Sequence, residues 1–301
     1  MIPFQLIVGM VLLFMFSLVY ISNKLDNKLH ISKPINKLIQ LIPNFINEYH
    51  IKYYITYSTV LLIGLVGLIT CWDPVWLLAT YSMRYVWSGI GAEVANHRYF
   101  SHRSFKCSPT MEKVLKICGI YSIEGPTMMW VAQHRAHHKY SDTELDPHPG
   151  NIWHATFSRV NVPDNIKEKI TPLTIKDLLN DSWHKYIKDN YFVLYWIPVS
   201  ICLLVGFKIT VYFVILPGLL AMIDSTLVNW LNHTYGVKQN ETNDNSTNNY
   251  WLNLWAPGGA LHNNHHHDAA NYHNERLWWE FDFFKPIIKY IIATKTFKEN
   301  K

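Results

Sequence analysis

Five stretches dominated by apolar residues alternate with polar segments along this chain of 301 residues. They are Ile2–Ser22, Tyr54–Cys71, Val75–Ala95, Tyr191–Phe207 and Ile209–Leu231. Each is close to the roughly 20 residues that a helix needs to cross the hydrocarbon core of a bilayer. Only Trp72-Asp73-Pro74 separates the second stretch from the third, and only Lys208 separates the fourth from the fifth. The pattern therefore predicts two helical hairpins. The first stretch has no basic n-region or cleavage site, so we expect it to remain as an anchor.

The polar segments are expected to lie outside the bilayer. Asn23–Lys52 is rich in lysine, and Ser101–Asn190 is a long polar excursion. Within the excursion, Pro109–Trp130 is only partly apolar, which favours an amphipathic helix lying along the membrane interface. Gln239–Asn249 consists almost entirely of Asn, Thr, Ser and acidic residues, which predicts a solvated loop.

Composition favours the same class of protein. Hydrophobic residues make up 49% of the chain and charged residues 16%, whereas about 25% charged residues is usual in soluble domains. The net charge of +5 is spread over loops without a basic arm, so we expect no nucleic-acid partner. The four cysteines form no CxxC pair and are expected to be reduced packing residues.

Three histidine clusters stand beside the apolar stretches. They are His97-Arg98-Tyr99-Phe100-Ser101-His102, His134-Arg135-Ala136-His137-His138 and His262-Asn263-Asn264-His265-His266-His267. Neutral imidazole is the commonest protein ligand for metals, and residues three and four apart share one helix face. One HxxHH alone could be a chance surface cluster, but two copies and an HxxxxH exceed what one four-coordinate metal uses. The clusters therefore predict a site for two metals.

The first cluster has a different spacing from the other two. His97 and His102 are five residues apart, which a regular α-helix cannot place on one face, so a helix end or kink is expected between them.

Loop charge predicts the orientation, because the positive-inside rule assigns the lysine-rich Asn23–Lys52 and Ser101–Asn190 to the cytosol. The expected fold is an all-α integral membrane protein, a four-span bundle of two hairpins with a histidine-rich cytosolic cap. Residues 2–22 are a candidate fifth span.

These motifs resemble those of the membrane-bound fatty acid desaturases, in particular the acyl-CoA (Δ9, stearoyl-CoA type) family. That family carries HxxxxH, HxxHH and HxxHH in this order, with four spans arranged two and two. The resemblance runs from about Tyr54 to Tyr290 and includes Asp146-Pro147-His148, Ser246-Thr247-Asn248-Asn249 and Trp278-Trp279-Glu280-Phe281-Asp282. It implies a desaturase domain at 54–290, and the pattern of the chain adds a hydrophobic anchor at 1–22, a basic polar segment at 23–53 and a polar tail at 291–301.

The resemblance also implies the metal ligands and the cofactor. Nine histidines would hold two iron ions, and Asn229 would contribute through a bound water. The histidines are His97, His102, His134, His137, His138, His233, His262, His265 and His266. His148 is expected to be structural, and His267 and His273 are expected to be spare.

The implied reaction is the O2-dependent desaturation of a fatty acyl chain to a cis-monoene. Attack on an unactivated methylene needs activated oxygen and a redox metal. The substrate would be a fatty acyl-CoA, with Δ9 selectivity, or an acyl-lipid, and its chain length would depend on a side chain within Val75–Gly89. Electrons would come from a separate cytochrome b5 or ferredoxin. The membrane would be the endoplasmic reticulum of a eukaryote or the inner membrane of a bacterium, with membrane lipids as neighbours.

Basic residues beside the boxes are candidate contacts for substrate phosphates. Arg98, Arg103, Arg135 and Lys139 would meet CoA or a lipid headgroup, and ordinary loop charge is the alternative for each.

Two charged residues lie within predicted spans, Arg84 and Asp224. A charge at the centre of a transmembrane helix costs about 2.5–3.5 kcal/mol on insertion scales. We therefore expect the two to form an ion pair, the alternative being that each faces a polar cavity.

Alternatives to a Δ9 desaturase stay open at the level of the sequence. The same metals would serve a hydroxylase or an enzyme with another double-bond position. A catalytically silent, metal-stabilised membrane scaffold is the alternative from another class, because Gly258-Gly259-Ala260 stands where the family has Gly-Glu. Glu93, one turn before His97, would either replace that acid behind His97 or be an acid at the membrane interface.

The orientation can be tested at two glycosylation sequons, which begin at Asn240 and Asn245. If the loop faces the cytosol, neither asparagine meets the glycosylation machinery, and neither should carry a glycan in a eukaryotic host. Electrophoretic mobility with and without endoglycosidase measures this. A glycan at either asparagine would reverse the orientation given above.

Overall fold

A computed structural model of the chain describes residues 48–148, 152, 172–256 and 258–297. The predicted anchor at 1–22 and most of the basic segment at 23–53 lie outside these residues. The α-helices are α1 (Glu48–Thr70), α2 (Trp76–Arg84), α3 (Pro109–Ile120), α4 (Thr127–Tyr140), α5 (Lys176–Leu179), α6 (Ser182–Val205), α7 (Phe207–Thr210), α8 (Leu216–Leu231), α9 (Leu252–Trp255), α10 (His262–His267) and α11 (Phe284–Ile287). The π-helices are π1 (Tyr85–Ser101), π2 (Val211–Ile215) and π3 (Ile288–Ile292), a 3-10 turn covers Pro172–Ile175, and the strands are β1 (Phe105–Cys107) and β2 (Ala293–Thr296).

Three of these helical segments are long and apolar enough to cross a membrane. They are Lys52–Thr70, Ser182–Val205 and Phe207–Leu231. They contain most of three predicted spans. The fourth predicted span, Val75–Ala95, is helical from Trp76 onward but is not among the three, so its passage through the bilayer stays a prediction.

The chain divides into two compact units, of which the first comprises Met1–Thr80 and Asn190–Leu216. In this unit α1 and π2 approach closely, since a Cβ atom on Gly67 would lie 2.5 Å from a methyl carbon of Val211. The turn predicted at Trp72-Asp73-Pro74 is present. The backbone N–H of Asp73 donates to the Tyr212 hydroxyl at 2.9 Å, and the Asp73 carboxylate pairs with Lys208 at 2.6 Å.

The second unit, Tyr81–Asp189 and Pro217–Lys301, is built around π1. Helices α3 and α4 both pack against π1, so the segment 109–130 is not the single interfacial helix expected from its pattern. The chain is not helical between Ile120 and Thr127, where Ile123 and Gly125 have positive φ values of 57° and 90° and Pro126 has no N–H to continue a helix. Lys116 of α3 is buried and pairs with Glu112 at 2.8 Å and Asp181 at 2.5 Å.

An antiparallel ribbon completes this unit and was not predicted. Phe105 of β1 pairs with Thr296 of β2, so part of the tail predicted as polar at 291–301 is ordered. The ribbon adds a minor strand element to an otherwise helical chain. All four cysteines are free, as expected.

The predicted Arg84–Asp224 pair is confirmed. The guanidinium donates from Nε and one terminal nitrogen to the two carboxylate oxygens, both at 2.7 Å. Both side chains are buried. The pair ties the junction of α2 and π1 to the middle of α8, the helix that leads to Asn229 and His233.

Replacing Gly91 tests the packing of α3 on π1. A Cβ at this position would lie 2.4 Å from the carbonyl oxygen of Cys118, and overpacking of this kind costs about 1–3 kcal/mol. We expect Gly91→Ala to lower the melting temperature of the detergent-purified protein by several degrees, measured by thermal unfolding. Gly206→Ala is the matched control, because nothing lies within 4 Å of its Cβ position. Equal melting temperatures for the two variants would contradict the packing described.

Candidate metal centre

The π-helical form of π1 explains the spacing of the first histidine box. The backbone N–H of His102 donates to the carbonyl oxygen of His97 at 3.2 Å, which is the i to i+5 bond of a π-turn. Residues five apart then lie one turn apart on the same side, and the helix ends at Ser101. The expected helix end is therefore present, and a π-turn brings the two imidazoles together. Their ring centroids lie 5.0 Å apart.

The second and third boxes lie on short helical faces, α4 and α10. Together with His233 just after α8, they bring nine histidines into two groups. The groups are His97, His102, His134, His138 and His265, and His137, His233, His262 and His266. Within each group the nearest ring nitrogens all lie within 4.8 Å of one another. All nine predicted histidine ligands are thus in these groups, whereas His267 and His273 are not.

The distances between imidazole nitrogens fit a shared cation in each group. Nε2 of His265 lies 2.9 Å from Nε2 of His97 and 3.0 Å from Nε2 of His138. In the second group, Nε2 of His262 lies 3.0 Å from Nε2 of His233. Two nitrogens bound at about 2.1 Å to one metal and at right angles lie about 3.0 Å apart. The spacing is therefore that of adjacent ligands on one ion.

Four carboxylates lie behind the imidazoles. Each accepts from an Nδ1–H: Glu93 from His97 at 3.1 Å, Asp146 from His137 at 2.8 Å, Asp142 from His233 at 3.0 Å and Asp244 from His266 at 2.6 Å. This partner fixes the tautomer, because a neutral imidazole protonated on Nδ1 presents a bare lone pair on Nε2. Nε2 atoms of His137 and His266 are buried without a hydrogen-bond partner among the described residues, as ligand atoms facing a cation would be.

Burial keeps the clustered imidazoles in the form that binds metals. Loss of solvation, followed by the proximity of the other imidazoles, lowers the pKa of six of them well below the ordinary value. They are His102, His134, His138, His262, His265 and His266. Burial acts to raise the pKa of Asp146, but its contact with His137 lowers the pKa below the usual value. These six donors are thus neutral imidazoles, and the acid behind His137 is ionised, which fits divalent metal ions.

The loop predicted to be solvated, Gln239–Asn249, is in part buried and holds the third box. Asn263 and Asn264 of α10 use their amide oxygens to accept from the backbone and side chain of Asn240 at 2.6–3.2 Å. Asn248, which is 1% exposed, donates to Asn264 at 2.9 Å. The composition of the loop misled the prediction, because its amides bond to one another and to α10 instead of to water. Asp244, which supports His266, lies on the same loop.

Glu93 supplies the acid that the third box lacks. Its Oε2 lies 3.1 Å from Nδ1 of His97, so the predicted role behind His97 is confirmed. A Cβ atom on Gly259, where the resembled family has its glutamate, would lie 3.6 Å from the same oxygen. The carboxylate therefore occupies the space beside Gly259 although it comes from π1.

The predicted substrate contacts differ in accessibility. Arg98 is 1% exposed and donates to Glu93 at 2.9 Å and Asp282 at 2.7 Å, so its assignment to substrate phosphates is wrong. It joins π1 to the segment after the third box. Arg103 and Arg135 both pair with Asp177, and Arg135 also donates to three backbone carbonyls. Of the four, Arg103 and Lys139 have exposed side chains and stay candidates.

A cavity opens beside the imidazoles. His97, His134, His262 and Asn229 are among the residues that line it. Ala92, Val228 and Ala256 also line it, together with the polar side chains of Glu124 and Gln133, and Trp130 stacks on His134 with ring centroids 4.8 Å apart. Asn229 and His262 thus line the same cavity. His148 also lines the cavity, and its backbone N–H donates to Asp146 at 2.7 Å, in keeping with a structural role.

Comparison with known proteins gives a consistent result. The family model described as fatty acid desaturase matches residues 72–292. The sn-1 stearoyl-lipid 9-desaturase of Synechocystis sp. is 32% identical over 209 residues, which are 67% of this chain and 64% of that protein. Delta-9 acyl-lipid desaturase 1 of Arabidopsis thaliana is 30% identical, over 69% of each chain. Hex-5-enoyl-[acyl-carrier protein] acetylenase of Moorena producens is 29% identical, over 79% of this chain and 82% of that protein.

Removing the Glu93 carboxylate tests its part in holding the metal. Loss of a hydrogen-bond acceptor behind a ligand typically weakens metal affinity by about 10–100-fold. We expect Glu93→Ala to reduce bound iron after dialysis by that order, measured by elemental analysis. Glu93→Ala combined with Gly259→Glu should restore it, because the new carboxylate enters the same space.

Glu112→Gln is the control for this experiment. Glu112 is also ion-paired, to Lys116, but it contacts none of the nine histidines among the described residues. The same iron loss in Glu112→Gln, or no loss in Glu93→Ala, would show that the carboxylate does not act on the ligands.

Proposed function

We propose that this chain, which belongs to the fatty acid desaturase family, removes two neighbouring hydrogens from a fatty acyl chain at a site for two iron ions. The observation that carries the proposal is the pair of buried imidazole groups, each with its nitrogens within 4.8 Å, beside a cavity. An acyl chain carries no charged group near the reacting carbons, so a cavity with apolar walls is needed to hold it.

Two sets of ligands would hold the irons. The first set is His97, His102, His134, His138 and His265, and the second is His137, His233, His262 and His266, with Asn229 acting through a water. When bound, the irons supply the oxygen activation and the electron transfer that no side chain here can perform. Imidazole suits several transition metals, but zinc is excluded as the working metal because it has no redox chemistry.

The residues of the chain supply orientation and exclusion of water. Glu93, Asp142, Asp146 and Asp244 hold the imidazole Nδ1 protons, so that Nε2 stays free to bind. Ala92, Val228 and Ala256 would give a hydrocarbon chain apolar contacts beside the imidazoles. The reaction balances as a CH2–CH2 unit plus O2, two protons and two external electrons, giving CH=CH and two waters.

The substrate is proposed to be a saturated acyl-CoA or acyl-lipid with Δ9 selectivity. Relatives named for Δ9 action on lipid-linked chains support the double-bond position. Arg103 and Lys139 would meet phosphates of the carrier at the surface. Cytochrome b5 or a ferredoxin would deliver the electrons, and we propose that the site faces the cytosol, since Lys-rich segments flank it.

The position of Glu93 bears on the scaffold alternative. The absence of the Gly-Glu acid before the third box was the feature that favoured a silent protein. Because Glu93 lies 3.1 Å from His97, a carboxylate is supplied from π1. The missing Gly-Glu acid therefore no longer favours a catalytically silent protein. A hydroxylase would use the same ligands, so the products must distinguish it.

Fatty acid profiling in a desaturase-deficient yeast tests the proposal. The chain should produce new cis-monoenes, and His266→Ala should reduce them to background because a ligand is lost. His267→Ala is the matched control, since this adjacent histidine is exposed and belongs to neither group. Hydroxy acids would favour the hydroxylase. An unchanged profile from protein that retains iron would favour the scaffold.

A further inference from the structure

An exposed apolar surface lies after the last predicted span, on two segments that bracket the third histidine box. Its side chains are each at least 40% exposed, and they are Trp251, Leu254, Trp255, Trp278, Trp279 and Phe281. The two segments form one surface, the aromatic face. The side-chain amide of Asn253 donates to the carbonyl oxygen of Phe281 at 2.7 Å, and the rings of Tyr250 and Trp279 meet edge to face with centroids 4.7 Å apart.

We propose that the aromatic face rests in the interfacial layer of the lipid leaflet at the end of α8 that leads to His233. The segments on either side of the third box would then be held on the bilayer by lipid as well as by the spans. This inference concerns how the protein is attached to the membrane and is independent of the reaction proposed above.

The segment 278–282 has its polar side chains inside and its apolar ones outside. Trp278 is 94% exposed and Phe281 60%, whereas the acids between and after them, Glu280 and Asp282, are 7% and 0% exposed. A surface that faces water has the opposite arrangement, since carboxylates are almost never buried unless they are paired. Contiguous exposed apolar residues mark an interaction site. The arrangement therefore indicates an apolar partner for this face.

The buried acids satisfy the backbone of the same segment. The Glu280 carboxylate accepts from the backbone N–H groups of Arg276 at 2.6 Å and Leu277 at 2.9 Å. The backbone N–H of Asp282 donates to the Glu275 carboxylate at 3.1 Å. Irregular backbone is costly in a layer poor in water unless its polar groups are bonded within the protein. The segment meets this condition although it is not a regular helix.

The depth of the aromatic face follows from the contacts of α9 with α8. The buried cluster that contains Leu252 packs against Leu231, and the Trp255 ring centroid lies 4.8 Å from the central guanidinium carbon of Arg84, the partner of Asp224. Helix α9 thus lies beside the last seven residues of α8, a rise of about 10 Å at about 1.5 Å per residue. Since α8 ends one of the three candidate spans, this stretch corresponds to the layer of about 5–10 Å in which interfacial segments bury their apolar face.

This depth selects lipid as the occupant. A water-soluble partner would have to displace lipid beside a span in order to reach Leu254. Tryptophan is the residue enriched at the headgroup level, because its ring is apolar and its N–H finds a polar partner there. A second copy of the chain would also bury these rings but would keep lipid away from them, and the experiment distinguishes the two occupants.

The test places a nitroxide label at single introduced cysteines, with the protein in phosphatidylcholine nanodiscs. The background replaces the four native cysteines by alanine: Cys71, Cys107, Cys118 and Cys202. Electron paramagnetic resonance compares collisions with O2, which concentrates in hydrocarbon, and with a water-soluble nickel chelate. Leu254→Cys and Trp278→Cys should give an O2-to-nickel ratio several-fold above that of Glu241→Cys, which is exposed on the polar loop. Leu62→Cys, at a 60% exposed position of a candidate span, supplies the ratio of a lipid-facing site.

Two results would overturn the proposal. Ratios at both positions equal to that of Glu241→Cys, with a high ratio for Leu62→Cys, would place the aromatic face in water. Few collisions with either reagent, together with a dimer by light scattering, would show that a second copy covers it.

Tryptophan fluorescence tests the same inference in the protein with its native cysteines. The difference between the emission of the native protein and that of Trp278→Phe is the signal of Trp278. This signal should be quenched in vesicles of phosphatidylcholine brominated on the acyl carbons nearest the headgroup. An unquenched difference signal would contradict contact with lipid.

Discussion

The arrangement of this protein depends on one electrostatic constraint, the convergence of imidazole lone pairs in a space closed to water. Nε2 atoms of His97 and His265 lie 2.9 Å apart, and those of His262 and His233 lie 3.0 Å apart. With the Nδ1 protons of His97 and His233 committed to Glu93 and Asp142, their Nε2 atoms present lone pairs to Nε2 of His265 and of His262. Each lone pair either accepts a hydrogen bond from the facing imidazole or, when the facing Nε2 is also deprotonated, needs a cation between the two nitrogens. The surrounding fold holds these imidazoles in the positions that a shared cation requires.

Three structural features hold the imidazoles in place, each in a different part of the second unit. A π-turn brings His97 and His102 to one side of π1. Asn263 and Asn264 fix α10 through amide bonds to the loop around Asn240. Arg98 joins π1 to Asp282. Because each feature uses hydrogen bonds with buried groups, rotation of one ligand would leave polar atoms unsatisfied, which opposes local rearrangement.

The sequence predicted the features that depend on local spacing or on strong physical penalties. HxxHH spacing predicted which histidines share a helix face, and the cost of charges within spans predicted the Arg84–Asp224 pair. Partners distant in sequence could not be found in this way. Asp142 and Asp244 support histidines 91 and 22 residues away, and nothing in their immediate neighbourhood marks them. The π-helix was missed because the hydrophobic pattern does not separate i to i+4 from i to i+5 bonding. Arg98 was assigned to phosphates because a guanidinium beside a box looks the same whether it faces solvent or a buried acid.

The relocated acid shows why position in space matters more than position in sequence. Glu93 extends from π1 into the space beside Gly259 and contacts two basic partners there. Its Oε2 holds His97, and its Oε1 accepts from Arg98 at 2.9 Å. Arg98 in turn donates to the carbonyl oxygen of Gly258 at 3.2 Å. The acid therefore couples the first box to the loop before the third box through one guanidinium. Gly258 leaves space for the Arg98 guanidinium, because a Cβ at 258 would lie 3.0 Å from one of its terminal nitrogens. The φ of Gly258 is 92°, a backbone conformation that favours glycine. The charge at Glu93 and the small residues at 258 and 259 thus depend on each other, and replacing either alone would disturb the ligands of the first box.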